Sequence, residues 1–147
     1  MKIQTLRTFT MLTLVLLLTA VSVCAQSERS GVLNIPFNFT VQGKTLPAGE
    51  YTIEPNRRDY DKVWLVRSKD GGTSVLFTTS RVQARETQEK TKLIFHRYGD
   101  QYFLSQIWTP GGNSGRELRM PRLERELAKN TIARQTIVVA NGPAARN

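Results

Sequence analysis

The chain has 147 residues but only one cysteine and one histidine. The cysteine is Cys24 and the histidine His96. A zinc centre needs three or four nitrogen or sulfur ligands, which this inventory cannot supply, so structural or catalytic zinc is excluded. Cys24 falls inside a segment expected to be removed, so the remaining chain has no disulfide and no nucleophilic thiolate and is held by packing alone. Long apolar runs are scarce too. Met11 to Val23 is the one such stretch, and it is shorter than the roughly 20 residues of a membrane-spanning helix. Acidic residues are also under-represented, at 12 against 21 Lys and Arg.

What is present begins with that apolar run. Lys2 and Arg7 precede it, and Val23-Cys24-Ala25 follow with small residues before Gln26, the pattern of a secretory signal peptide over residues 1–25. Cys24 raises the alternative of a lipidated anchor, but Val23 stands where the lipoprotein peptidase needs a small residue. Export to the periplasm or beyond is the expectation, with no transmembrane segment left after processing. Loss of Lys2 and Arg7 leaves 19 basic residues against 12 acidic ones, a balance of +7. Such a balance favours anionic partners in the envelope, polysaccharide or lipid headgroups, while an exported protein has little occasion to meet nucleic acid. Residues 26–140 suit one β-rich domain, and 141–147 a loose tail.

Short strands joined by Gly, Asp and Pro turns dominate the remainder. Ile35-Pro-Phe-Asn-Phe-Thr-Val41 alternates apolar and polar side chains, and after Gln-Gly-Lys-Thr the alternation resumes through Tyr51 and Ile53. Residues 62–68 and 73–79 form a second predicted hairpin around Lys69-Asp-Gly-Gly72. Residues 92–98 and 101–108 form a third around Gly99-Asp100. Its strands are apolar on both parities, Leu93 and Phe95 one way, Ile94 and Tyr98 the other, so both faces need cover. Between the second and third hairpins, residues 80–92 are polar and fit either a long loop or a solvated helix. Thr109 to Gly115 reads as a flexible connection. Pro121 then opens a helix near 120–130, with Met120, Leu123 and Leu127 on one stripe and Arg122, Arg125 and Lys129 on the opposite side. The stripe predicts a lid that plugs the sheet, and the basic side a candidate docking face. The fold class is all-β, a mainly antiparallel sandwich or small barrel with one C-terminal amphipathic helix.

Phe37-Asn-Phe-Thr-Val41, Leu46-Pro-Ala-Gly-Glu-Tyr51, Leu93-Ile-Phe-His-Arg-Tyr-Gly-Asp100, Tyr102-Phe-Leu-Ser-Gln-Ile-Trp108 and Leu123-Glu-Arg-Glu-Leu-Ala128 together resemble a group of small, uncharacterised exported bacterial β-rich proteins. The resemblance implies an exported β-module and carries over no activity. Leu46-Pro-Ala-Gly-Glu-Tyr51 alone is similar to the turn and strand start of Ig-like or transthyretin-like extracellular modules.

The reactive residues form no catalytic pattern. His96 lies on a strand beside Ile94 and Tyr98. Asp59-Tyr-Asp61 lacks the rest of a calcium loop. Gly112-Asn-Ser-Gly115 matches a serine nucleophile loop only faintly. Glu50 and Glu54 share one parity of a strand, opposite the apolar side, where solvated charges are expected rather than a glycosidase pair. No phosphate loop follows any glycine pair, and no cofactor is implied. What remains is a mixture of cations and rings at Arg57, Arg58, Tyr60 and Trp64 and again at His96, Arg97 and Tyr98, the composition of a surface that binds a glycan or other anionic polymer. The expectation is an exported non-enzymatic module with an envelope or extracellular partner, anionic glycan, lipid surface or protein. Two alternatives stand beside it: a small hydrolase using His96 or a carboxylate pair, and a structural subunit pairing through a sheet edge. Oligomeric state is left open.

Overall fold

The computed structural model describes residues 32–56, 58–59 and 62–140. The expected signal peptide over 1–25, residues 26–31, Arg57, Tyr60, Asp61 and residues 141–147 lie outside the described residues.

Ten strands and one helix follow one another as β1 (Leu33–Ile35), β2 (Phe39–Val41), β3 (Lys44–Leu46), β4 (Gly49–Pro55), β5 (Val63–Ser68), β6 (Ser74–Gln88), β7 (Lys92–Tyr98), β8 (Gln101–Trp108), β9 (Gly112–Leu118), α1 (Arg122–Asn130) and β10 (Arg134–Val139). The strands form one sheet in the order β1-β4-β5-β6-β9-β8-β2-β3, with β7 on the other side of β8 and β10 beyond β7. Among the described residues the fold is therefore all-β with a single short helix near the C-terminus, as the strand and turn pattern predicts. All ladders are antiparallel except the contact of β2 with β8 at Thr40 and Phe103. No helix among the described residues is long and apolar enough to cross a membrane.

The sheet divides at β6. Val63 to Arg67 of β5 pair with the first half of this strand, and Gly112 to Leu118 of β9 with the second. The two halves turn their apolar faces toward each other. Leu33, Ile35, Tyr51, Ile53, Trp64, Val66 and Phe77 of the first meet Leu93, Phe95, Leu104, Ile107 and Leu118 of the second in one buried cluster. The short hairpin β2–β3 adds Phe39, Val41 and Leu46. Phe39 lies edge-on to Tyr51 at 5.1 Å and to Phe95 at 5.6 Å, so it joins the two halves. Edge-to-face pairs of this kind add about 0.5–1.5 kcal/mol beyond the area they bury.

Turn chemistry matches the sequence. Gln42 and Gly43 both take positive φ, 46° and 90°, as a two-residue hairpin of the twisted kind demands. The Gln42 amide donates to the Thr78 hydroxyl at 3.0 Å, which ties the hairpin to β6. Gly99 has φ 61° at the first position of the β7–β8 turn. In the β5–β6 turn, the Asp70 carboxylate accepts from the Ser68 hydroxyl and from the Gly72 N–H, which holds its acid well below the usual carboxylate range.

Four expectations need correction. Residues 80–88 are neither loop nor helix but the second half of β6, where partly buried Val82 and Ala84 alternate with exposed Arg81, Gln83 and Arg85. Residues 112–115 are not a flexible connection but the start of β9. Ile35 to Val41 is not one strand, because Pro36 lacks the N–H a ladder needs and the chain breaks between β1 and β2. β1 instead pairs with β4, and β2 with β3. Finally, Met120 and Leu123 do not plug the sheet; they are 36% and 53% exposed, and the buried side chain of the helix is Glu124.

Candidate functional site

Strands β7 and β8 explain how an acid comes to be buried. Residues Leu93 and Phe95 face the core, so Lys92, Ile94, His96 and Tyr98 face outward. Opposite them on β8, the register runs Trp108 to Lys92, Gln106 to Ile94 and Phe103 to His96. A bulge inserts one extra residue between Leu104 and Gln106. That insertion lets Leu104 and Ile107 both point inward while Phe103 and Trp108 both point outward. The sheet thus has an apolar outer face as well as an inner one, carrying Tyr98 and Phe103 edge to face at 5.9 Å. Both rings are buried although neither belongs to the central core.

Helix α1 reaches this outer face with a polar side chain. The Glu124 carboxylate, 3% exposed, lies 2.7 Å from His96 Nδ1, and His96 keeps 23% exposure. The Tyr98 phenol lies beside the same carboxylate and is pushed above the usual value by burial first and by Glu124 after it. A buried carboxylate costs several kcal/mol unless it is hydrogen-bonded and paired, and His96 is the partner that offsets that cost. With Nδ1 turned to the acid, Nε2 is the ring nitrogen that faces away from it. An imidazole fixed by a carboxylate in this way has the form of a general base with its orienting group.

The described members of the ring and cation mixture, Arg58, Trp64, His96, Arg97 and Tyr98, do not gather into one exposed surface. Trp64 is buried in the core cluster, its indole N–H without a hydrogen-bond partner. Tyr98 is buried beneath α1. Arg58 is exposed in the β4–β5 connection, its N–H on the Asn56 side chain at 3.0 Å. Arg97 has the parity opposite to His96 and lies over the Tyr102 ring at 5.3 Å, with Phe37 stacked on the far side of that ring at 3.9 Å. Its Nε donates to the Gly99 carbonyl at 2.7 Å, so this cation is occupied in closing the rim of the core.

The helix keeps the expected polarity on its other side. Arg122, Arg125 and Lys129 are all exposed, with Lys129 Nζ 2.9 Å from Glu126. Among the described residues, no group of three or more His, Cys, Asp and Glu side chains gathers as a metal site. A shallow cavity of about 360 Å³ lies between the start of β4 and the β5–β6 turn, lined in part by Glu50, Tyr51, Lys69 and Asp70. Glu50 is there paired with Lys69 at 2.6 Å. Glu124 is the residue the sequence reading passed over. A signal existed, since an acid one position from the Leu123 stripe sits 40° off its Met120 axis at 100° per residue.

Fold and site define an all-β module with a polar-anchored amphipathic helix on one outer face. No family model, no curated protein and no solved structure matches the chain.

Proposed function

We propose that the protein is an exported, non-enzymatic β-module that binds an anionic polymer of the envelope or extracellular space through the outer side of helix α1. The observation that carries this reading is the partition of the helix, with Glu124 turned in to His96 and Tyr98, and Arg122, Arg125 and Lys129 turned out to water. With Glu124 turned inward, Glu126, paired with Lys129 at 2.9 Å, is the acid that α1 leaves among those cations. The balance of +7 left after loss of Lys2 and Arg7 adds long-range attraction for a polyanion, screened by salt over about 10 Å at 0.1 M. Trp64, Tyr98 and Trp108 are each buried, which leaves the outer side of α1 as the exposed cationic face on which this reading rests.

The test is a salt gradient on an immobilised anionic polysaccharide, comparing the wild type with Arg122→Glu/Arg125→Glu. The wild type should elute at clearly higher salt. Equal elution of the two proteins would remove the helix from the binding reaction, and no retention of either would remove the polyanion.

A second reading rests on the His96–Glu124 pair at 2.7 Å, which has the geometry of a hydrolase base. Hydrolysis of an ester, glycoside or amide that disappears in His96→Ala while the sheet stays folded would support it. A broad substrate screen with no such activity would end it.

A further inference from the structure

We infer that helix α1 is a separately releasable cover on the outer face of β7 and β8, held there by the Glu124 carboxylate between His96 and Tyr98 and freed when that carboxylate is neutralised. This device stands independently of the polymer-binding proposal.

The helix has little else to hold it. Nine residues form a marginal helix in water, so docking must supply its stability. Pro121 stands at the N-cap with no side-chain cap bond. Of its apolar residues, Leu123 is half exposed, Leu127 is only partly buried, and Met120 just ahead of it is exposed. The one side chain of α1 that is fully withdrawn from water is an acid, and its hydrogen bond is to His96 of β7.

The chemistry of that acid makes the attachment conditional. An ionised carboxylate accepts from His96, and its charge strengthens that bond. A neutral carboxyl loses the charge and brings a proton of its own toward the same ring. Among the described residues, no other charge stands opposite His96 in the sheet: Phe103 of β8 and Gln135 of β10 are the residues opposite it, Arg97 is turned to the other face of β7, and Arg122, Arg125 and Lys129 lie on the far side of the helix. Release would take Glu124 away from His96 and Tyr98.

Amide hydrogen exchange of the purified protein tests this. The wild type is measured near neutral pH and at about pH 4, where ordinary carboxylates take up protons, and Glu124→Gln, the permanently neutral isostere, near neutral pH. The amides of 122–130 should lose protection by at least about tenfold in Glu124→Gln and in acid wild type, the loss expected for hydrogen bonds to a charged group. Amides of 92–98 should keep theirs, and acid should bring no further loss at the helix in Glu124→Gln. Unchanged helix protection in both neutral-carboxyl states would overturn the inference. So would loss of protection at helix and strands together, or a Glu124→Gln chain that does not fold while the acid wild type retains its helix, since each shows the helix to be an integral part of the sheet's stability or indifferent to the charge.

Discussion

Replacing Gly115 by alanine tests how β9 meets β8. Gly115 is buried opposite Trp108, and a Cβ built on it would stand 2.6 Å from two carbons of the indole and 2.9 Å from a third. Ordinary carbon contacts lie at about 3.5–4.0 Å, so the ring would have to retreat by roughly 1 Å. It has little freedom to do so: Trp108 is 6% exposed, its N–H donates to the Gln106 side chain at 3.1 Å, and Lys92 Nζ is 6.0 Å from its ring centre. Overpacking of this kind costs about 1–3 kcal/mol. Alanine in a strand recovers about 0.5–1 kcal/mol of the backbone entropy that glycine loses. The net expectation is a loss of about 1–2 kcal/mol, or roughly 3–8 °C in Tm for a domain of this size. Urea denaturation followed by tryptophan fluorescence gives the number, and a cycle with Trp108→Leu gives its cause. With the smaller side chain at 108 the second substitution should be close to neutral, leaving a coupling of about 1 kcal/mol or more. A loss below about 0.5 kcal/mol in the wild-type background, or the same loss in both backgrounds, would refute the argument that the indole demands a glycine.

Other substitutions separate the two apolar layers. Phe95→Ala removes a fully buried ring that touches both Phe37 and Phe39, and should cost about 3–5 kcal/mol in the same assay. Leu123→Gln, at a position the helical stripe assigns to the core, should instead fall within about 0.5 kcal/mol of wild type, because the side chain is already half exposed; a core-sized loss would contradict the docking of α1. Tyr98 and Tyr51 both hold their protons above the usual phenol value, Tyr98 by burial and then Glu124, Tyr51 by burial and then the Asp70 charge. A phenol raised in the folded state contributes stability fully below the unfolded value near pH ~10 and loses it as pH rises through the folded one. Spectrophotometric titration should therefore show two of the four tyrosines ionising late, and Glu124→Gln should advance one of them and not the other.

Much of this architecture is legible in the order of residues because its causes are local. Alternation at Phe39 and Val41, Tyr51 and Ile53, and Leu93 and Phe95 picks out strand faces, and Gly43, Asp70-Gly71 and Gly99 pick out the reversals. Each is a consequence of backbone sterics and the two-residue repeat of a strand. The double apolarity of β7 also shows that its outer face must be covered. The second half of β6 and the start of β9 stay hidden for the opposite reason. Val82 and Ala84 are small and sit among charges, and Gly115 lacks a side chain because the Trp108 indole occupies that space. Their strand character comes from each other's hydrogen bonds.

The sequence by itself determined an all-β chain with a basic-backed helix near its C-terminus, since patterning and turn chemistry act within a few residues. Only the tertiary structure decided that β1 pairs with β4, that Trp64 and Tyr98 of the cation-rich stretches are buried, and that the helix docks through Glu124 rather than through its leucines. Those outcomes depend on what arrives opposite a side chain from 28 residues away, as His96 does for Glu124, and a carboxylate is withdrawn from water only where such donors are already in place.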